Sequence, residues 1–122
     1  MTLETLCETL RAKTGATESY PFGPGALVFK VGGKMFAIVA DDKDPVQVSL
    51  KCDPERALDL RAVFPAVQPG YHLNKTHWNT VTLDDTIFDD ELSEWIDHSY
   101  DLVYRSLSRT LRESIKTATE SD

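Results

Sequence analysis

The chain is poor in cysteine and has no long apolar run, and each shortage removes a class of protein. Cys7 and Cys52 are its only cysteines, and they form no Cys-x-x-Cys pair. That excludes a zinc ribbon and a thioredoxin-like redox motif. The longest apolar stretches, Ala26–Val31 and Met35–Ala40, are strand-sized, whereas a bilayer span takes about 20 residues. Met1-Thr2-Leu3-Glu4 carries an early acid and no basic segment ahead of an apolar run, so no signal peptide is expected. The thiols are then expected reduced, in a cytoplasm, and Asn74-Lys75-Thr76 is a chance glycosylation sequon. P-loop, GxGxxG, GxSxG and HExxH patterns are all missing, so no enzyme and no cofactor are expected.

Acid is missing locally as well. Between Leu60 and Leu83 there is no Asp or Glu, while Arg61, His72, Lys75 and His77 are present. Residues 1–83 balance nine basic against nine acidic side chains, so the net charge of −7 falls wholly on residues 84–122. A uniformly acidic protein would repel nucleic acid, whereas this distribution leaves a mildly basic face opposite an acidic helix.

The 122 residues, 41% apolar and 27% charged, suit one domain with one core. Thr2 caps a first helix to about Lys13, with Leu3, Leu6, Cys7 and Leu10 on one stripe and Gly15 beyond its end. Tyr20-Pro-Phe-Gly-Pro-Gly25 cannot be a central strand, and its aromatics are expected at the core edge. Ala26–Val31 and Lys34–Val39, separated only by Gly32-Gly33, predict a two-residue hairpin, because both turn residues accept positive φ. Val46–Leu50 alternates as a half-buried strand. Asp53-Pro54 opens a second helix whose apolar side is Ala57, Leu58, Leu60, Val63 and Phe64. Val67–Leu73 and Trp78–Leu83 read as strands around a turn or wing at 74–77. A last helix starts near Asp89 with Leu92, Ile96, Tyr100, Val103 and Leu107 inward, and Ser114–Asp122 is expected to fray. The order α-β-β-β-α-β-β-α makes an α+β domain over residues 1–107, an antiparallel sheet with helices packed on it, followed by a tail or helix extension at 108–122.

Pro69-Gly-Tyr-His-Leu-Asn-Lys-Thr-His-Trp-Asn-Thr-Val81 gathers two of three histidines and one of two tryptophans without an acid. This stretch resembles the PGYHxNKxHWNTV signature of MmcQ/YjbR-like proteins. The likeness extends to Tyr20–Pro24, Val28–Ala37, Ser49–Pro54 and Ile96–Val103, in order over about residues 3–105. It implies a CyaY-like (frataxin-like) two-layer fold and a double-wing DNA-binding arrangement in a bacterial protein. It carries no catalytic residues, and the tail from Ser108 departs from the short form of the family.

On the DNA reading, Lys75 and Lys34 are phosphate contacts, with Lys30 near the second hairpin. Asn74, Asn79, His72 and His77 are polar readers, and Trp78 or Tyr71 stacks on an unpaired base. The chain lacks a strong basic stripe, so such binding would be weak and salt-dependent. The alternative is a non-enzymatic module that binds a small molecule or a protein through the same Tyr71–Trp78 surface, with Tyr20–Gly23 lining an aromatic cleft. No metal is expected: His72 and His77 fall on opposite faces of an ideal strand, and the acidic helix reads as a solvated face. Cys52, near a helix start, reads as an inert thiol.

Overall fold

The computed structural model describes residues 1–120. Its elements run α1 (Leu3–Arg11), β1 (Thr17–Ser19), β2 (Leu27–Val31), β3 (Lys34–Ala40), β4 (Gln47–Lys51), α2 (Pro54–Val63), β5 (Val67–Pro69), β6 (Trp78–Thr82), α3 (Asp89–Ser106) and α4 (Arg109–Glu120). The strands form one antiparallel sheet ordered β1-β2-β3-β4-β6-β5. The protein is therefore α+β. The expected order holds, with a short edge strand added before the hairpin and a further helix at the end.

Local chemistry accounts for these elements. Thr2 Oγ1 accepts the Thr5 N–H at 3.1 Å and caps α1. Gly32 and Gly33 make the β2–β3 turn at φ 58° and 80°, and a Cβ on Gly32 would lie 2.6 Å from the Leu107 side chain. Asp53 precedes α2 without a side-chain cap bond, and Pro54 starts that helix instead.

Alternation along the strands gives the sheet two faces. Phe29, Val39, Val48, Val67 and Val81 point into the core against Leu92, Ile96 and Val103 of α3. Val28, Ile38, Ser49 and Thr80 are cross-strand partners in a row on the opposite face. The pairing of β2 with β3 slips at Phe36, a bulge that turns both Phe36 and Ala37 inward. Ser99 of α3 bridges β3 to β4 beside this bulge, just beyond their last direct pair, Ala37 with Leu50. Its hydroxyl donates to the Phe36 carbonyl at 2.6 Å and accepts the Lys51 N–H at 2.9 Å, fully buried. Phe36 meets Tyr100 edge-on at 5.4 Å.

Several expectations change on inspection. Tyr20 and Phe22 are 49% and 70% exposed rather than tucked into the core edge. Val28 and Ile38 already fill that row of the sheet, so neither ring enters the core. Leu58 and Val63 are also exposed, because α2 rests at the β5–β6 side of the sheet and buries only Ala57 fully. The tail expected to fray from Ser114 is helical to Glu120, and the rest of that expectation, at 121–122, lies outside the described residues. Tyr104 Oη donates to the Arg112 carbonyl at 3.2 Å, and Ile115 packs on the core. No helix is long and apolar enough to cross a membrane among the described residues.

Candidate functional site

The helices cover one face of the sheet only, and two loops cover the other. Residues 20–26 rise from the β1–β2 side, and residues 70–77 from the β5–β6 side. Between them lies a cleft of about 500 Å³. Met35 and Ile38 of β3 give it an apolar floor, and Gln47 and Ser49 of β4 with Thr80 of β6 give it a polar one. Phe22 and Pro24 line one side, Tyr71, His72 and Leu73 the other, and Asp42 and Lys43 stand at the end.

Both walls are held by bonds made within them. Tyr20 Oη donates to Asp41 Oδ2 at 2.5 Å, and that carboxylate pushes the Tyr20 phenol pKa up. Opposite, Gly70 N donates to the Trp78 carbonyl at 2.9 Å, and a Cβ at Gly70 would sit 2.7 Å from Trp78 Cβ. Tyr71 N donates to Thr80 Oγ1 at 3.0 Å. His72 follows at φ 58°, a left-handed conformation that is uncommon outside glycine, with its ring 4.0 Å from that of Tyr71. Strain of this sort costs about 1–3 kcal/mol and gathers at ligand clamps. Two exposed rings, those of Tyr71 and His72, are thus fixed beside the cleft.

The residues expected to form one surface are divided by the structure. His72 lines the cleft, with the unanticipated Phe22 wall opposite. Asn74 Oδ1 accepts Thr76 N at 2.9 Å and His77 N at 3.3 Å, so it shapes the turn. Lys75 Nζ donates to the Gly70 carbonyl at 2.9 Å. The His77 side chain is exposed, and its carbonyl accepts Cys52 N at 2.8 Å. Trp78 and Asn79 are buried, at 8% and 3% exposure. Asn79 Nδ2 donates to the Ala57 carbonyl at 3.3 Å and its Oδ1 accepts Arg61 Nε at 2.6 Å, so its amide faces the protein. Lys34 lies two strands away on β3, with Nζ 3.3 Å from Ser106 Oγ. Arg61, which reads in the sequence as one more basic side chain, also donates to the Lys75 and Trp78 carbonyls and ties the loop to α2.

The remaining groups do not join the cleft. His98 Nε2 accepts Asp53 N at 3.2 Å, outside the cleft that His72 lines. Cys52 is buried, and burial pushes its thiol pKa up, which disfavours the thiolate. Among the described residues no cluster of three His, Cys, Asp or Glu is placed to hold a metal ion.

The class of protein is a small α+β domain that presents one sheet face between two loops. The YjbR family profile matches residues 11–102, and the chain belongs to that family. The Escherichia coli (strain K12) protein YjbR is 39% identical over 100 residues, covering 82% of this chain and 85% of that protein. YbdF of Escherichia coli O157:H7 is 34% identical over 97 residues, covering 80% of each chain. Among solved structures, protein DR2400 of Deinococcus radiodurans, a DUF419 domain, superposes with a TM-score of 0.89 at 39% identity over 94% of this chain and 88% of that one. A Pseudomonas syringae protein superposes with a TM-score of 0.73 at 26% identity over 84% and 99%.

Proposed function

We propose that this chain is a non-enzymatic binding module whose cleft takes a small molecule. The observation that carries this is the cleft itself. Its volume of about 500 Å³ suits a compact organic ligand, and it combines an apolar floor, two exposed rings and a few convergent polar groups. Saturation-transfer NMR with a library of small aromatic and aliphatic fragments tests it, with Ile38→Trp as the blocked control. Saturable binding by the native protein that is lost in Ile38→Trp supports the reading, provided thermal melting shows the variant folded. Equal binding by both proteins contradicts it.

A second reading, double-wing DNA binding, has its own observation. Lys34 at the hairpin, Lys51 at the end of β4 and Lys75 in the loop before β6 all stand at one end of the sheet. One feature weakens it: Lys34 and Lys75 already have bonds inside the protein. Anisotropy titration of labelled single- and double-stranded DNA at low and moderate salt decides. Salt-sensitive binding that Lys75→Ala weakens favours DNA, and no binding at low salt removes it.

A further inference from the structure

Resting on the small-molecule reading of the cleft, we infer that its ligand is an uncharged planar heteroaromatic ring of nucleoside size that carries a lactam edge, a ring carbonyl beside a ring N–H. The polar floor supplies the first argument. Ser49 and Thr80 hydroxyls lie 2.8 Å apart, both nearly buried and both lining the cleft. Thr80 Oγ1 already accepts from Tyr71 N. The pair holds two hydroxyl protons, and its mutual bond uses one, whichever residue donates. One proton is left over, and a ligand acceptor such as a ring carbonyl satisfies it.

Gln47 supplies the second argument. It lies two residues before Ser49 on β4 and lines the same cleft. Its amide nitrogen is only loosely engaged, 3.5 Å from Thr82 Oγ1. A primary amide offers a donor and an acceptor side by side, and a lactam offers the matching acceptor and donor. The floor therefore presents a complementary face to a carbonyl with an adjacent N–H.

The walls fix the ring's shape. Phe22 is 70% exposed on one side and Tyr71 64% on the other, flanking a floor made by Met35 and Ile38. Exposed rings on opposite sides of an apolar floor favour a flat partner that stacks. The mouth fixes its charge. Asp42 and Lys43 line the end of the cleft as one carboxylate and one ammonium, so that end carries no net charge to attract a phosphate and suits an uncharged ring.

Titration calorimetry with three probes tests the inference: inosine, which has the lactam edge, purine riboside, which is the same nucleoside without it, and inosine 5′-monophosphate. Each uncharged hydrogen bond is worth roughly three- to tenfold in affinity. Inosine is expected to bind about tenfold or more tightly than purine riboside and more tightly than its monophosphate. Gln47→Met is expected to bring inosine down towards purine riboside, and Tyr71→Ala to weaken both by a similar factor. The comparison of probes on the native protein needs no variant, so a poorly folded Gln47→Met leaves the test intact. Equal binding of inosine and purine riboside overturns the lactam assignment. Binding of library fragments in the cleft without inosine overturns the ring class and leaves the small-molecule reading standing. No binding by any probe or fragment overturns both.

Discussion

Ser99→Ala separates packing from hydrogen bonding in this fold. The serine is fully buried on α3, and its hydroxyl bridges Phe36 of β3 to Lys51 of β4, just beyond the last direct pair of those strands, Ala37 with Leu50. Removing one oxygen leaves the Phe36 carbonyl and the Lys51 N–H without a partner and adds no apolar volume. An orphaned buried backbone group costs about 1–3 kcal/mol. Phe36 is wholly buried, whereas Lys51 retains some exposure and meets part of its loss through solvent. The sum is about 3 kcal/mol, a large share of the ~5–15 kcal/mol that stabilises a domain of this size. Unfolding entropy of about 2 cal/mol/K per residue converts it to a fall in Tm of roughly 12 °C. Scanning calorimetry and urea titration measure it, with Ser93→Ala on the same helix as the control expected near zero. A loss under about 1 kcal/mol for Ser99→Ala would refute the claim that this hydroxyl holds the end of β3 to the end of β4.

Three further outcomes follow from other sites. Arg61→Met frees the Lys75 carbonyl and the Asn79 amide oxygen and leaves the Trp78 carbonyl with Gly70 N alone, so it should cost about 2–3 kcal/mol and raise amide exchange at Trp78 and Cys52 about tenfold or more; Arg61→Lys should not rescue it, because one ammonium cannot replace the guanidinium fork. Cys52 should resist a thiol reagent at pH 8 in the native protein and react at once in urea, because burial raises its pKa; prompt native reaction would contradict the placement. The Arg11 guanidinium holds the Glu18 carboxyl below its usual range. This stabilisation is full above the unfolded Glu pKa of about 4.3 and is lost as pH falls through the depressed folded value. Glu18→Gln should therefore flatten a small part of the Tm decline below about pH 4.3 and leave it unchanged above pH 6.

Much of the fold is legible in the sequence because its signals are local. Gly32-Gly33 between two β-rich runs, Thr2 before an apolar stripe, and Leu92, Ile96, Tyr100 and Val103 at helical spacing each act within a few residues. The short edge strand β1 escapes because its three residues are all exposed and alternate nothing. The helix α4 is legible only as one of two alternatives, extension or frayed tail, because its sequence is mostly polar and its hold is a distant contact of Ile115. The cleft is half legible. Tyr71 and His72 stand out in the signature, but Ser49 and Thr80 read as the solvated side of strands until two loops cover that side. A usable signal was present: β2 and β3 are apolar on both faces, and a sheet with helices on one face only must cover the other by other means. Asn79 and Arg61 mislead for the opposite reason. Polar residues in an acid-free window resemble a binding surface, yet these two spend their hydrogen bonds on each other and on backbone carbonyls.

The central claim is that the loop-covered face of the sheet is a small-molecule site, and ¹H–¹⁵N shift mapping during fragment titration tests it most directly. The account predicts saturable shifts confined to Met35, Ile38, Gln47, Ser49, Tyr71, His72 and Thr80. Saturable shifts that gather instead around Lys34, Lys51 and His77, or none in the cleft at any fragment concentration, would contradict it.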